Sequence, residues 1–384
     1  MAAPALRVLW QPFFYLSEHW NGMDEHMLHL SRHLDRTRYD LLLLTHESDG
    51  PQTASLAAQA RLRAVPAPPG AGSSLLERIR SLRALYRREA IDLLHLHSPT
   101  VGGQFAAALA ARLAGVRAVL ATYHQVQMDT ASSRARAINR LSHSRLIDAT
   151  VAVSNGVRQS LARHTGVPTH RVRVIHNGID APLSDQAAEP AVMPPRREGE
   201  VRLGYFGRLS PEKGLRVLLD AMADLTASTP AVRLLIAGEG PQRAELAAHS
   251  ARLGLADRVD FLGFRPDARA IMARVDVVVH PPAYEGFGLA VLEAMAAGRP
   301  VVVTDAPGGL SEIVSAEENG LVVPAGSPAA LADALRRLVR DPAARRRLGE
   351  RGAARFRTGF TAAHMAASVS RLYDEALDRF GPNR

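Results

Sequence analysis

The sequence predicts an α/β protein of two doubly wound halves, each a parallel sheet covered by helices on both faces. Short, wholly apolar runs alternate with longer stretches of helical spacing, and a strand without a polar face is buried on both sides. The alternation breaks once, over residues 179–200, where Pro182, Pro190, Pro194 and Pro195 give linker composition, and then resumes. A chain of 384 residues has room for two such domains.

Leu6 to Trp10 reads as the first strand. Gln11 to Gly22 is a loop, and Met23, Met27, Leu30 and Leu34 mark a helix. Tyr39 to Thr45, Ile91 to Leu96, Val116 to Ala121, Ala149 to Val153 and Val172 to Ile175 are the further strands of this half. Between them lie a basic amphipathic helix, Leu75 to Glu89, and an alanine-rich one, Gly102 to Leu113. The second half repeats the rhythm with strands Val201 to Phe206, Val232 to Ala237, Val259 to Leu262, Val275 to His280 and Pro300 to Thr304. Its helices are Gly214 to Ala227, Gln242 to Leu253 and a short one near Ala268 to Arg274. The Arg-rich stretch Arg336 to Arg357 reads as a solvated helical surface, and Thr361 to Phe380 as a final amphipathic helix. The expected domains are 1–178, a linker 179–200, 201–360, and a C-terminal helix 361–384 packing back towards the first half. Two such halves imply a cleft, with ligands at the carboxyl ends of the strands.

Composition removes several function classes. Cysteine is absent, which excludes disulfide and thiolate chemistry and fits a reducing cytoplasm. No apolar run approaches the length of about 20 residues that a membrane span needs. The net charge of +9 is carried by arginine, since Lys213 is the only lysine. No nucleic-acid motif accompanies it. Arg134, Arg136, Arg140 and Arg145, with Ala137, Ile138 and Leu141 between them, mark a basic helix that is either a solvated face or a contact for anionic lipid.

The chemistry concentrates in Tyr284 to Gly298, Y-E-G-F-G-L-A-V-L-E-A-M-A-A-G. Leu289 to Ala297 is apolar on nearly every side, which predicts a buried helix, and Glu293 within it requires a polar partner. Gly286 and Gly288 precede the helix where its amides point outward, and Glu285 stands at the strand end. Two carboxylates suit the vicinal hydroxyls of a sugar or a ribose; an N-cap for Glu285 and a buried ion pair for Glu293 are the structural alternative. In G-R-L-S-P-E-K-G, Arg208 and Lys213 stand between a strand end and a helix, where they could neutralise a diphosphate or remain two exposed cations. Gly238 and Gly240 in G-E-G-P serve a turn or offer amides to a ligand, without the third glycine of a dinucleotide fingerprint. Gly22 is open to the same two readings. His124 ends a strand of the first half, as do His46, His95 and His97, while His280 ends one in the second. None has the spacing of a zinc motif such as H-E-x-x-H, so no metal ligands are expected.

With these motifs the chain resembles the family-4 retaining glycosyltransferases, the glycogen-synthase-like group of the GT-B fold. E-G-F-G-L-A-V-L-E matches that family's pair of glutamates, and G-R-L-S-P-E-K-G its basic loop. V-I-H-N-G-I-D, A-G-E-G-P, F-L-G-F, A-P-G-G-L-S-E-I-V and W-N-G-M-D-E-H add support. The resemblance implies two Rossmann-like doubly wound domains facing each other across a cleft, the first binding an acceptor and the second a nucleotide-diphosphate sugar. It implies that Arg208 and Lys213 hold the diphosphate, with Gly207 also in the donor site, and that Glu285 meets the donor sugar with the turn Gly286, Phe287, Gly288 and Leu289. Glu293 would take the ribose, the segment Leu262 to Arg265, with Gly263, Phe264 and Arg265, would lie along the base, Gly238 would belong to the donor site, and His124 would face the reacting centre. The family's Gly-Gly loop reads Gly22-Met23 here.

The expected reaction is metal-independent transfer with retention, from a UDP-sugar or next a GDP-sugar, to a hydroxyl acceptor. The diphosphate itself takes the acceptor proton, and no cofactor is implied beyond the co-substrate. A sugar phosphorylase or UDP-sugar epimerase on the same fold, and a non-catalytic sugar-nucleotide scaffold, are the competing readings. The acceptor, a small molecule, a glycan or a lipid-linked species, is left to the loops Gln11 to Gly22, Ser98 to Gly103 and Gln125 to Ser133. The expected location is cytoplasmic, with the Arg134 to Arg145 helix the candidate contact with the inner membrane face.

Overall fold

The computed structural model describes residues 4–13, 22–45, 50–68, 74–97, 104–126, 131–181, 193–229 and 231–378. The chain divides into two compact units, Met1–Asp180 with Ala362–Arg384, and Ala181–Thr361. Residues 98–103 and parts of the other two expected acceptor loops, 14–21 and 127–130, lie outside the described residues, as does 182–192 of the expected linker.

The first unit runs β1 (Leu6–Pro12), α1 (Gly22–His33), β2 (Tyr39–Thr45), α2 (Gly50–Gln59), β3 (Arg63–Pro66), α3 (Leu75–Arg88), β4 (Leu93–His97), α4 (Gln104–Ala114), β5 (Ala118–Tyr123), α5 (Ser133–Arg145), β6 (Ala149–Ala152), α6 (Asn155–Thr165) and β7 (Val172–Val174). Its seven strands lie in the order β3-β2-β1-β4-β5-β6-β7, all parallel. The winding reverses between β1 and β4, so the ends of those strands, and His97 with them, stand at the switch point where such sheets bind ligands.

The second unit runs β8 (Val201–Phe206), α7 (Leu215–Ser228), β9 (Val232–Ala237), α8 (Arg243–Arg252), β10 (Val259–Gly263), α9 (Ala268–Met272), β11 (Val277–His280), α10 (Leu289–Ala296), β12 (Val301–Thr304), α11 (Leu310–Ile313), β13 (Leu321–Val323), α12 (Pro328–Arg340) and α13 (Pro342–Gly359). The sheet order is β10-β9-β8-β11-β12-β13, again parallel, with its switch between β8 and β11. The last helix, α14 (Ala362–Asp378), returns to the first unit. Met365, Val369, Leu372, Tyr373 and Leu377 are buried with Trp10, Met27 and Leu41 in that unit's core.

Central strands are uniformly buried, which is why their apolar runs were readable. Two of the four edge strands were not: β3 is Arg-Ala-Val-Pro with only Val65 buried, and β13 is three residues long, whereas the edges β7 and β10 were expected as strands. Helices α2 and α6 also escaped the pattern, although Ser154 caps α6 by accepting from Val157 N–H. One expectation needs correction. Helix α10 is not buried all round: Leu289, Ala290, Glu293 and Ala296 are half-buried, while Val291, Leu292, Ala294 and Met295 face the core.

Candidate functional site

The ends of β8 and β11 are fastened to each other. Tyr205, buried at the end of β8, donates its hydroxyl to Arg208 O at 2.8 Å and so holds the following loop. Ser210, Glu212 and a short turn over Pro211–Lys213 lead to Gly214, at φ +71°, whose missing Cβ would lie 1.9 Å from Pro281 O. Only glycine permits that approach. The turn aims Lys213 at Glu285, with Nζ 2.8 Å from Oε2. His280, buried at the end of β11, donates through Nε2 to the same oxygen at 2.8 Å. Its ring stacks on Tyr205 at 6.2 Å between centroids.

Burial works against a charged Glu285, but Lys213 and the His280 hydrogen bond outweigh it and hold the carboxyl well below the usual carboxylate range. Burial raises the Tyr205 phenol well above its ordinary value, and the Glu285 and Glu212 charges add to this. The Glu285 backbone is clasped in turn. Its N–H donates to Pro307 O at 3.0 Å, Gly309 N–H donates to its carbonyl at 3.1 Å, and a Cβ on Gly308 would lie 1.5 Å from that carbonyl oxygen. Next comes Gly288, at φ +103°, which opens α10. The amides of Gly288 and Leu289 meet no acceptor among the described residues.

The remaining expected donor residues divide. Arg208 is exposed and forms no ion pair among the described residues. Glu293 finds its polar partner in Arg269, at 2.9 Å; this is the ion-pair arrangement, at a surface where Arg269 is 45% exposed. Arg265 is held by both oxygens of Asp267, whereas Phe264 beside it is 52% exposed. Both follow Gly263, at φ +72° on a bulge of β10. Gly207 and Gly238 use their amides inside the fold, donating to Ala237 O and Gly263 O. A Cβ on Gly238 would lie 1.8 Å from Gly207 O, and one on Gly240 2.4 Å from Leu209 O. The expectation that Gly238 offers its amide to a ligand is therefore corrected: the glycine is there to let two loops touch.

In the first unit His124 follows β5, and Gly22, exposed, opens α1 with Met23 buried behind it. His124 Nε2 lies 3.2 Å from His97 Nδ1, and its ring is 4.7 Å from that of His26 on α1. His26 is fixed by Asn177, whose Oδ1 lies 2.8 Å from Nδ1. Behind them His95 joins Tyr373 of α14 at 2.7 Å and Thr122 at 2.7 Å. Burial keeps all four rings neutral, lowering His26 to about 4 and His95 to about 3, and His97 and His124 well below their ordinary value. His26, His97 and His124 bring one nitrogen each within 4.8 Å of the others, so they could hold a metal ion. On α5, Arg134, Arg140 and Arg145 are exposed with Ile138 and Leu141, whereas Arg136 turns to Arg163 O at 3.0 Å.

Several residues reach these places without having been given a role there, and His280 was named only as a strand-end histidine. His280 stood five residues before Glu285, and Gly308 and Gly309 lay in A-P-G-G-L-S-E-I-V. Asn177 and His26 lay in V-I-H-N-G-I-D and D-E-H. The motifs contained them, but their contacts come from segments distant in sequence.

Residues 20–182 match the model of Glycosyltransferase Family 4, and residues 193–355 that of Glycosyl transferases group 1. The chain belongs to the family-4 glycosyltransferases. Among relatives of this family-4 chain, D-inositol 3-phosphate glycosyltransferase of Corynebacterium glutamicum is 36% identical over 265 residues, 65% of this chain and 62% of that one. The 2-deoxystreptamine glucosyltransferase of Streptomyces kanamyceticus is 34% identical over 190 residues, 48% of this chain and 49% of that one. The matches thus span less than two thirds of these relatives' own lengths. Among solved structures, Anabaena HepE in complex with UDP superposes with a TM-score of 0.79 at 22% identity, over 96% of this chain and 100% of that one. A glycosyltransferase from Rickettsia africae gives 0.81 at 17%, over 97% and 99%. These likenesses show the fold, GT-B, with its two Rossmann-like units.

Proposed function

We propose that this family-4 chain transfers a sugar from a nucleotide-diphosphate sugar, UDP-linked by preference and GDP-linked next, to a hydroxyl acceptor. The observation that carries this is the Lys213–Glu285–His280 cluster at the switch point of the second sheet, beside the open amides of Gly288 and Leu289. An ionised Glu285 committed through Oε2 keeps Oε1 for a sugar hydroxyl. Arg208, Lys213 and the N-terminus of α10 supply positive charge for a departing diphosphate, the part a metal plays elsewhere, so transfer runs without bound metal. Phe264 offers an exposed ring to the base, and Glu293 the ribose contact. The UDP in the Anabaena complex supports the choice of base.

Transfer then proceeds with retention. The acceptor oxygen bonds to the anomeric carbon on the face the diphosphate leaves, the carbon–phosphate oxygen bond breaks, and the acceptor proton passes to the departing diphosphate. His124 faces the sugar as a neutral imidazole. The exposed Arg134, Arg140, Arg145, Ile138 and Leu141 of α5 suit a peripheral contact with anionic lipid at the inner membrane face. Among the described residues no helix is long and apolar enough to cross a membrane. Liposome sedimentation that rises with anionic lipid supports that contact; indifference to it removes it.

A panel of nucleotide sugars incubated with the protein and EDTA, read by mass spectrometry, tests the activity. Slow hydrolysis of one UDP-sugar, accelerated into transfer by the right acceptor, is expected. No turnover and no binding of any nucleoside diphosphate would end the proposal.

A further inference from the structure

Three histidines far apart in sequence converge inside the first unit: His26 from α1, His97 from the end of β4 and His124 from the end of β5. One nitrogen of each lies within 4.8 Å of the other two. His26 and His97 are buried to 3% and 0% exposure, and His26 Nε2, His97 Nε2 and His124 Nδ1 have no hydrogen-bond partner. A buried polar atom left unpaired costs about 1–3 kcal/mol, and of these three His26 Nε2 is the one that an ion shared with His97 Nδ1 and His124 Nε2 would satisfy.

We propose that His26, His97 and His124 form a binding site for one divalent transition cation, Zn2+ foremost, with a fourth position open to water or ligand.

Ligand type, geometry and surroundings agree on this. Imidazole is a borderline donor that selects zinc and its neighbours over magnesium or calcium. A tetrahedral ion with bonds of about 2.0–2.1 Å separates its ligand atoms by about 3.4 Å. His97 Nδ1 and His124 Nε2 already stand 3.2 Å apart, and one nitrogen of each of the three rings lies within 4.8 Å of the others. Only neutral imidazole binds metal. The Asn177 carbonyl accepts from His26 Nδ1–H, which turns the Nε2 lone pair inward in the way that outer partners orient metal-bound histidines. Binding displaces the hydrogen between His97 and His124 to the far, unpartnered nitrogen of the ring that carries it, so no proton need leave the cluster.

The ion is no part of the transfer chemistry proposed above. It would occupy the imidazole placed beside the sugar, so Zn2+ slows transfer. That consequence depends on the role proposed for His124; binding does not.

The test uses the whole chain, stripped with EDTA and titrated with Zn2+ by calorimetry and with Co2+ by visible absorption. One equivalent of Zn2+, a raised melting temperature and the intense bands of tetrahedral Co2+ are expected. His26→Asn and His97→Asn each abolish that equivalent. Asn177→Ala weakens it by about 10–100-fold. His33→Gln, on the same helix but paired with Asp180, leaves it unchanged. If a histidine variant fails to fold, Asn177→Ala and the wild-type spectrum still decide. Absence of stoichiometric uptake by wild type, octahedral Co2+ spectra, or uptake lost in His33→Gln and kept in His26→Asn overturns the site.

Discussion

Lys213 places its ammonium 2.8 Å from Oε2 of Glu285, a carboxylate 72 residues away and carried by the neighbouring strand's loop. Both side chains are largely withdrawn from water, at 20% and 13% exposure. Breaking such a pair from one side leaves the other charge uncompensated. Lys213→Ala should therefore cost about 3 kcal/mol, and Lys213→Ala/Glu285→Gln should recover part of that loss. Urea unfolding of the four proteins of the cycle measures the coupling. Additive losses would mean that the two groups do not support each other.

Arg208 should behave differently, since it is exposed and unpaired among the described residues. Arg208→Ala is expected to change stability by less than about 0.5 kcal/mol. It should weaken UDP-sugar binding about tenfold or more by removing a charge-assisted contact. Parallel calorimetry with UDP and with uridine locates the loss, because only the diphosphate should feel it.

Gly308 and Gly298 have similarly unusual backbones but opposite surroundings. A Cβ on Gly308, at φ +136°, meets Glu285 O at 1.5 Å, whereas one on Gly298, at φ +66°, meets nothing within 4 Å. Gly308→Ala should cost about 2–4 kcal/mol and abolish UDP binding, because Glu285 must move. Gly298→Ala should cost only the local strain of about 1–2 kcal/mol and bind normally. Equal effects in denaturation and binding would remove the special role of the Gly308 contact.

The buried histidines set a pH limit on the first unit. His26 is lowered to about 4 and His95 to about 3 by burial, while in the unfolded chain each takes its proton near 6.5. Between those values the unfolded state binds the extra protons, so stability is full above pH 6.5 and falls as pH drops. Each histidine contributes a slope of up to about 1.4 kcal/mol per pH unit. Glu285 acts later and in the second unit. Its folded carboxyl is depressed, so its contribution persists above about pH 4.3, the unfolded value, and fades below it. Urea melts in EDTA between about pH 7 and 4.5, followed by tryptophan fluorescence, report the first unit, whose core holds Trp10. A flat profile there would contradict the neutral, buried state of the rings.

By itself the sequence determined the architecture and the contiguous parts of the proposed donor site. Uniformly apolar strands can only be buried in a parallel sheet, and a strand-end motif such as G-R-L-S-P-E-K-G or E-G-F-G-L-A-V-L-E brings its own turn and helix. Lys213, Glu285 and Glu293 were legible for that reason. Edge strands β3 and β13 were not, because neither length nor burial left a pattern. The tertiary structure alone decided which groups meet. It gave Glu285 to Lys213 and His280, assigned Arg269 to Glu293, and made Gly238 a point of contact between loops. It also gathered His26, His97 and His124, whose spacing resembles no metal motif, into one buried cluster. Parallel β-strands cause this: each crossover sends the chain away before it returns, so side chains that share a strand-end face are separated by tens of residues.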